Sequence, residues 1–247
     1  MPALHPSRQP EQPNAGPQSG AAGPLWFAGP RARSLLRAET RAMERVLAGI
    51  PALPWVCVGA EGAECPHSES GRGLHLRRGA GGFDGALRCA LPWPLASETF
   101  GAVLLQHALD DGFGDTEAVL GECMRILAPG GVLWLAALNP WSPYRARWWR
   151  AGLSAHGPGY WQATLARAGF PADAVSLQWL GPRWRPDDGE AGVGAADRLR
   201  AGIALTVSKR VHAAIPPAAL RKLRLQTGLG SVRTHAGVLR QDPGPKP

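Results

Sequence analysis

The sequence predicts an α/β domain built on a mostly parallel sheet of about seven strands with helices on both faces. Three observations predict it. Short apolar runs alternate with amphipathic helical segments. Two of the runs stand out as strands, Phe100–Gln106 and Val132–Leu138, and the second is apolar throughout, as expected of a strand covered on both faces. The sequence Ile126–Ser142, "ILAPGGVLWLAALNPWS", places a sharp Pro-Gly-Gly reversal directly before such a strand.

The elements follow in order. Residues 1–24 are rich in Pro, Gln, Gly and Ser and are expected to be disordered. Arg31–Ile50 forms an amphipathic helix, with Leu35, Leu36, Met43, Val46 and Leu47 at helical spacing, ended by Pro51 and Pro54. Trp55–Val58 is a short strand stopped by Gly59, and Leu74–Leu76 a second. Residues 79–85 read as a loop, and Leu87–Ala90 as a third strand before the turn "LPWPLAS". After Phe100–Gln106 comes a helix over Thr116–Leu127, with Asp115 as its N-cap and Pro129-Gly130-Gly131 as its stop. Val132–Leu138 re-enters the sheet. A helix over Gly159–Ala168 is closed by Gly169. Strands at Ala174–Leu180 and Ile203–Ser208 flank a Gly-rich loop, residues 185–196. Residues 212–247 read as a weakly structured tail with a short basic helix near 217–225, which leaves 25–211 as the folded domain.

Composition narrows the function. The chain of 247 residues carries a formal charge of +8, but its Arg residues are scattered, and no nucleic-acid module pattern is present. A nucleic-acid partner is therefore not expected. No apolar run is long enough to span a bilayer and no signal peptide is seen, so a cytoplasmic protein is expected. Cys57, Cys89 and Cys123 sit in apolar settings, as small buried residues do. Cys65-Pro66-His67 lacks a second half at metal-binding spacing, so no metal is expected. A G-x-S-x-G elbow and G-x-G-x-x-G are both absent, which sets aside α/β-hydrolase and nicotinamide dehydrogenase chemistry.

Two segments in tandem, "LPWPLASETFGAVLLQHALDD" (Leu91–Asp111) and "TEAVLGECMRILAPGGVLWLAALNP" (Thr116–Pro140), resemble the second half of a class I S-adenosylmethionine-dependent methyltransferase of the type-11 kind. Arg125–Gly131 is similar to that family's "RvLkPGG". The likeness runs from about Arg33 to Arg210, and its lead-in helix resembles a proteobacterial subgroup.

The resemblance implies a Rossmann-like fold and S-adenosyl-L-methionine as cofactor, with Gly59, Gly62, Asp84, Leu91 and Gln106 around it. It implies methyl transfer to a small-molecule substrate. His107 is the candidate general base, and Asn139 and Trp141 are candidate substrate contacts. Asp110 and Asp111 are alternatives for the base. Asn139–Trp149, rich in Trp and Arg, is either a flap over a planar or anionic substrate or a helix packing its Trp residues on the domain.

The chain departs from the family where cofactor is held. Cys57 stands for an acidic residue and Glu61 for a glycine, so Glu61→Gly is expected to tighten cofactor binding. Arg77 and Arg78 end the second strand where an acid is usual, and the helix between the first two strands is shortened, with only about a dozen residues separating Gly62 from Leu74. The alternative is accordingly a methyltransferase-like protein without catalysis, serving a binding or interaction role.

Overall fold

The computed structural model describes residues 26–27, 29–60, 62–63, 66–67, 72–79, 81–112, 116–183 and 191–210. Both expected tails, the Asp115 cap, Glu61 and Cys65 lie outside the described residues.

The chain forms α1 (Pro30–Ala48), β1 (Trp55–Gly59), β2 (Gly73–Gly79), β3 (Gly82–Gly85), β4 (Phe100–Gln106), α2 (Thr116–Ile126) and β5 (Leu127–Leu138). It continues with α3 (Arg145–Arg150), α4 (Pro158–Arg167), β6 (Ser176–Leu180), β7 (Ala191–Gly192) and β8 (Gly202–Ser208). The strands make one sheet in the order β3-β2-β1-β4-β5-β8-β6-β7. Two expectations are corrected here. The sheet has eight strands, not seven. It is mixed: β2, β1, β4 and β5 pair in parallel, while β3, β8 and β7 run antiparallel to their neighbours.

Alternation along each strand divides the core in two, because successive side chains leave opposite faces of the sheet. Val56, Val58, Val103, Leu105, Leu133 and Leu135 join α2 and α4 on one face. Trp55, Cys57, Ala102, Leu104, Trp134 and Ala136 meet α1 and Trp148 on the other. Helices therefore cover both faces, and β4 and β5 lie in the interior of the sheet. No helix among the described residues is long and apolar enough to cross a membrane.

Residues 82–85, expected to be loop, form the edge strand β3, whereas 87–90 contribute only one bridge, Phe83 to Cys89. Glycine explains the difference. Gly82 and Gly85 have φ of 136° and 142°, and a Cβ on either would collide with a backbone carbonyl. The glycines that suggested a loop are the ones that let the hairpin close.

Pro-Gly-Gly is also used differently from the expectation. Helix α2 ends earlier, at Ile126, and strand pairing begins at Leu127. Phe100 pairs with Leu127 and Ala102 with Val132, so 128–131 bulges out of the ladder with β4. Gly130 takes φ 77°. The bulge is held from the far side: Gly130 N–H donates to the Lys209 carbonyl at 3.0 Å, and Lys209 N–H to the Gly131 carbonyl at 2.8 Å. Lys209 Nζ donates to the Leu127 carbonyl and to Glu98.

The "LPW" turn and the Arg of "RILAPGG" prove to be one structural unit. Arg125 donates to Glu122 and to the carbonyls of Trp93 and Leu95, at 2.8–2.9 Å. Glu122 in turn accepts from Trp93 N–H at 2.8 Å. Arg125→Met is expected to lower unfolding free energy by about 2 kcal/mol, read from urea denaturation, because two carbonyls and a carboxylate lose their donor. A change within about 0.5 kcal/mol would show the clamp to be incidental.

Candidate functional site

In an open α/β sheet, ligands sit beyond the carboxyl ends of the strands where the winding reverses. That point here lies between β1 and β4, since the chain proceeds from β1 toward β3 on one side and from β4 toward β7 on the other. Gly59 ends β1 and pairs with Arg77 of β2 and Gln106 of β4. Arg77 pairs with Asp84 of β3, so Gly59, Arg77 and Asp84 stand in one row, with Asp84 about 10 Å from Gly59 by two strand spacings.

The chain turns sharply after Gly59. Ala60 N–H donates to the Gln106 carbonyl and Ala63 N–H to the Ala60 carbonyl. A Cβ on Gly59 would lie 2.7 Å from Ala63 Cβ, so the turn itself requires glycine there. Gly62, exposed at φ 87°, follows in the same turn. Asp84 is exposed and pairs with Arg88 at 3.0 Å. Leu91 is half-buried and packs on the α2-side core. The ion pair Arg78–Asp111, at 3.1 Å, ties β2 to the turn after β4 across the end of β1.

The most unusual chemistry of the molecule lies beneath this rim. His107 follows β4 with φ 53°. Its Nε2 is 2.9 Å from Glu39 Oε1 and its Nδ1 2.7 Å from Asp110 Oδ2, and all three side chains are fully buried. Gln106 Nε2 donates to Glu39 Oε2 at 3.0 Å, and Leu138 N–H to Asp110 Oδ2 at 2.9 Å. Phe27 lies over the imidazole at 4.7 Å between ring centroids. Burial alone would push the His107 pKa down. The Glu39 charge, the hydrogen bonds to Asp110 and Glu39, and the Asp110 charge outweigh it and raise it to about 10.

His107 is thereby held toward its imidazolium form, and burial also pushes the Asp110 carboxyl up, so the pair titrates together; both ring nitrogens are engaged by carboxylates. The expected general-base role does not match this arrangement. The neighbouring alternatives are also engaged, Asp110 with His107 and Asp111 with Arg78.

Asn139 likewise departs from the substrate role expected of it. It is buried, and its amide donates to the carbonyls of Arg198 and Arg200 while its Oδ1 accepts from Trp141 N–H. It fastens the chain after β5 to the segment before β8. Trp141 is 54% exposed and leans on Trp179 at 5.7 Å. The Trp-rich segment divides its side chains. Trp148 is buried against Trp26 and Tyr144, whereas Trp149 is 79% exposed.

Sequence reading missed Glu39. The signal was present: Leu35, Glu39 and Met43 form one i, i+4 stripe, and all three are fully buried. A carboxylate on the apolar face of a helix calls for a buried partner.

No family model matches the sequence, and no curated protein matches it. A solved structure does: an S-adenosylmethionine-dependent methyltransferase from Thermotoga maritima, described as a possible histamine N-methyltransferase. Its TM-score is 0.50 at 18% identity, over 75% of this chain and 94% of that one. The fold is methyltransferase-like. Two further methyltransferases dependent on the same cofactor align more loosely. One, from Archaeoglobus fulgidus, gives a TM-score of 0.48 at 13% identity over 74% and 96% of the two chains. The other, from Mesorhizobium loti, gives 0.46 at 14% over 69% and 97%.

Proposed function

We propose that this chain is an S-adenosylmethionine-dependent methyltransferase acting on a small molecule, built on the type-11 plan that Leu91–Pro140 resembles. The observation that carries the reading is the switch point between β1 and β4, capped by a small-residue turn, in a methyltransferase-like fold.

The residues fit the cofactor chemically. Ala60, Gly62 and Ala63 let backbone approach a ligand closely. Asp84, in the row of Gly59 and Arg77, supplies a carboxylate for ribose hydroxyls. Gln106 Oε1 and Asp110 Oδ1, buried acceptors without a donor among the described residues, lie beneath this row. The cofactor, when bound, supplies an activated methyl group for in-line displacement.

The protein's task is then to position the acceptor and keep water out. In this reading His107 is a positioning residue: pinned between Glu39 and Asp110, it fixes the turn after β4. The acceptor needs no proton taken by His107.

Calorimetric titration with S-adenosylhomocysteine tests the reading. Saturable binding is expected, weakened about tenfold by Asp84→Ala through loss of a charge-assisted hydrogen bond. No heat and no thermal shift at millimolar ligand would remove the enzyme reading and leave the fold as a binding scaffold.

A further inference from the structure

A cavity of about 540 Å³ lies beside α3, lined by Arg145, Trp148, Trp149, Leu153, Ser154 and His156 among others. Its size falls within the range of small-molecule sites. We infer that it is the acceptor pocket and that it selects a planar aromatic anion. This rests on the methyltransferase reading only for the word acceptor; the binding chemistry stands apart from it.

Four observations carry the inference. Charge is the first. Arg145, Arg147 and Arg150 stand on one short helix, and 139–160 contains no Asp or Glu. Asp110 and Asp111, in the turn after β4, are bonded to His107 and Arg78. An anion entering here meets no competing carboxylate on the segment.

The second is spacing. Arg145 and Trp149 are four residues apart, so guanidinium and indole share one face of the helix and both line the cavity. An aromatic ring lying on Trp149 would hold its carboxylate within reach of the Arg145 fork. Exposure of 79% at Trp149 leaves the indole surface open for such a partner. The third is His156, whose Nδ1 is buried without a hydrogen-bond partner among the described residues, and whose ring stacks on Tyr160 at 4.1 Å. An imidazole so placed supplies a further polar contact for a ligand in this cavity.

The fourth is position. Ser154 N–H donates to the Asp110 carbonyl at 2.6 Å, so the cavity wall is bonded to the turn after β4. A ligand here sits beside the switch point, where a group to be transferred would be presented.

The test uses the purified full-length chain without cofactor, titrated calorimetrically with 2-naphthoate and with its neutral relative 2-naphthamide. The acid is expected to bind at least about tenfold tighter than the amide, the worth of one charge-assisted hydrogen bond. Arg145→Gln should erase that preference, while Trp149→Ala should weaken both probes about tenfold by removing the stacking surface. Both residues are exposed, so neither variant threatens the fold. Equal binding of acid and amide, or an unchanged preference in Arg145→Gln, overturns the inference. So does retention on anionic phospholipid vesicles without naphthoate binding, which would make the Trp and Arg face a membrane contact. A failed naphthoate titration beside a successful S-adenosylhomocysteine titration removes this pocket alone; the reverse outcome removes the methyltransferase reading alone.

Discussion

Glu39→Ala lowers the unfolding free energy by about 3 kcal/mol, measured by urea denaturation near neutral pH, whereas Glu39→Gln lowers it by about 1 kcal/mol or less. The difference follows from hydrogen-bond accounting in a space without solvent. Glu39 accepts from His107 Nε2 through one oxygen and from Gln106 Nε2 through the other. Alanine removes both acceptors, leaves two buried donors unanswered and opens a void beside Phe27 and Leu35. The loss falls at the low end for a broken buried ion pair, because His107 keeps Asp110 as its counter-ion.

Glutamine has the shape of glutamate and retains one acceptor for His107. Its new amide would face the amide of Gln106, donor against donor. Gln106 has a remedy, since its Oε1 is buried and has no partner among the described residues. A half-turn of that amide presents the oxygen to the new N–H group. The double variant Glu39→Gln, Gln106→Leu lacks this remedy, leaves the new N–H unanswered and is expected to be less stable than Glu39→Gln alone by about 1–2 kcal/mol. Equal stability of Glu39→Ala and wild type would mean that the cluster does not anchor α1 to the sheet.

How much of this was legible beforehand depended on whether the pattern was local. The interiors of β4 and β5 could be read because strands buried on both faces are apolar without interruption, and these two are buried at nearly every position. Helix α1 could be read because its apolar residues keep the helical period. The hairpin Gly82–Gly85 could not be. Its glycines serve close approach and positive φ, and composition alone does not separate that use from a loop. The 128–131 bulge was hidden for a related reason: Pro-Gly-Gly announces a break, but the backbone groups that satisfy it come from Lys209, far along the chain.

The candidate site divides in the same way. Gly59, Gln106 and His107 could be placed at the rim from strand ends alone. What those side chains do there depends on Glu39, which lies nearly seventy residues earlier and arrives only when α1 packs across the sheet. A His at a strand end looks like a free base until the helix that covers it is in place. Asn139 misled similarly, because its partners at Arg198 and Arg200 belong to the return into the last strand.

The same cluster sets a pH dependence whose sign is fixed by the direction of the shift. The His107 pKa rises from an ordinary 6.5 to about 10 on folding. Between those values the folded chain holds a proton that the unfolded chain has released. The stabilisation is fully present below about 6.5 and is lost as pH climbs toward about 10, with a slope of up to about 1.4 kcal/mol per pH unit. A second effect opposes it. The chain carries a formal charge of +8, and deprotonation at alkaline pH relieves self-repulsion in the folded state. Comparison with His107→Gln separates the two, because the variant keeps the general charge effect and lacks the imidazolium. The variant is expected to be less stable than wild type near neutral pH and to close the gap as pH rises toward about 9.5. Urea unfolding of both proteins across that interval measures the gap directly. A gap that stays constant would mean that His107 is neutral in the folded protein. Its ring would then have a nitrogen without a proton, and the general-base role that the double hydrogen bond argues against would be open to it again.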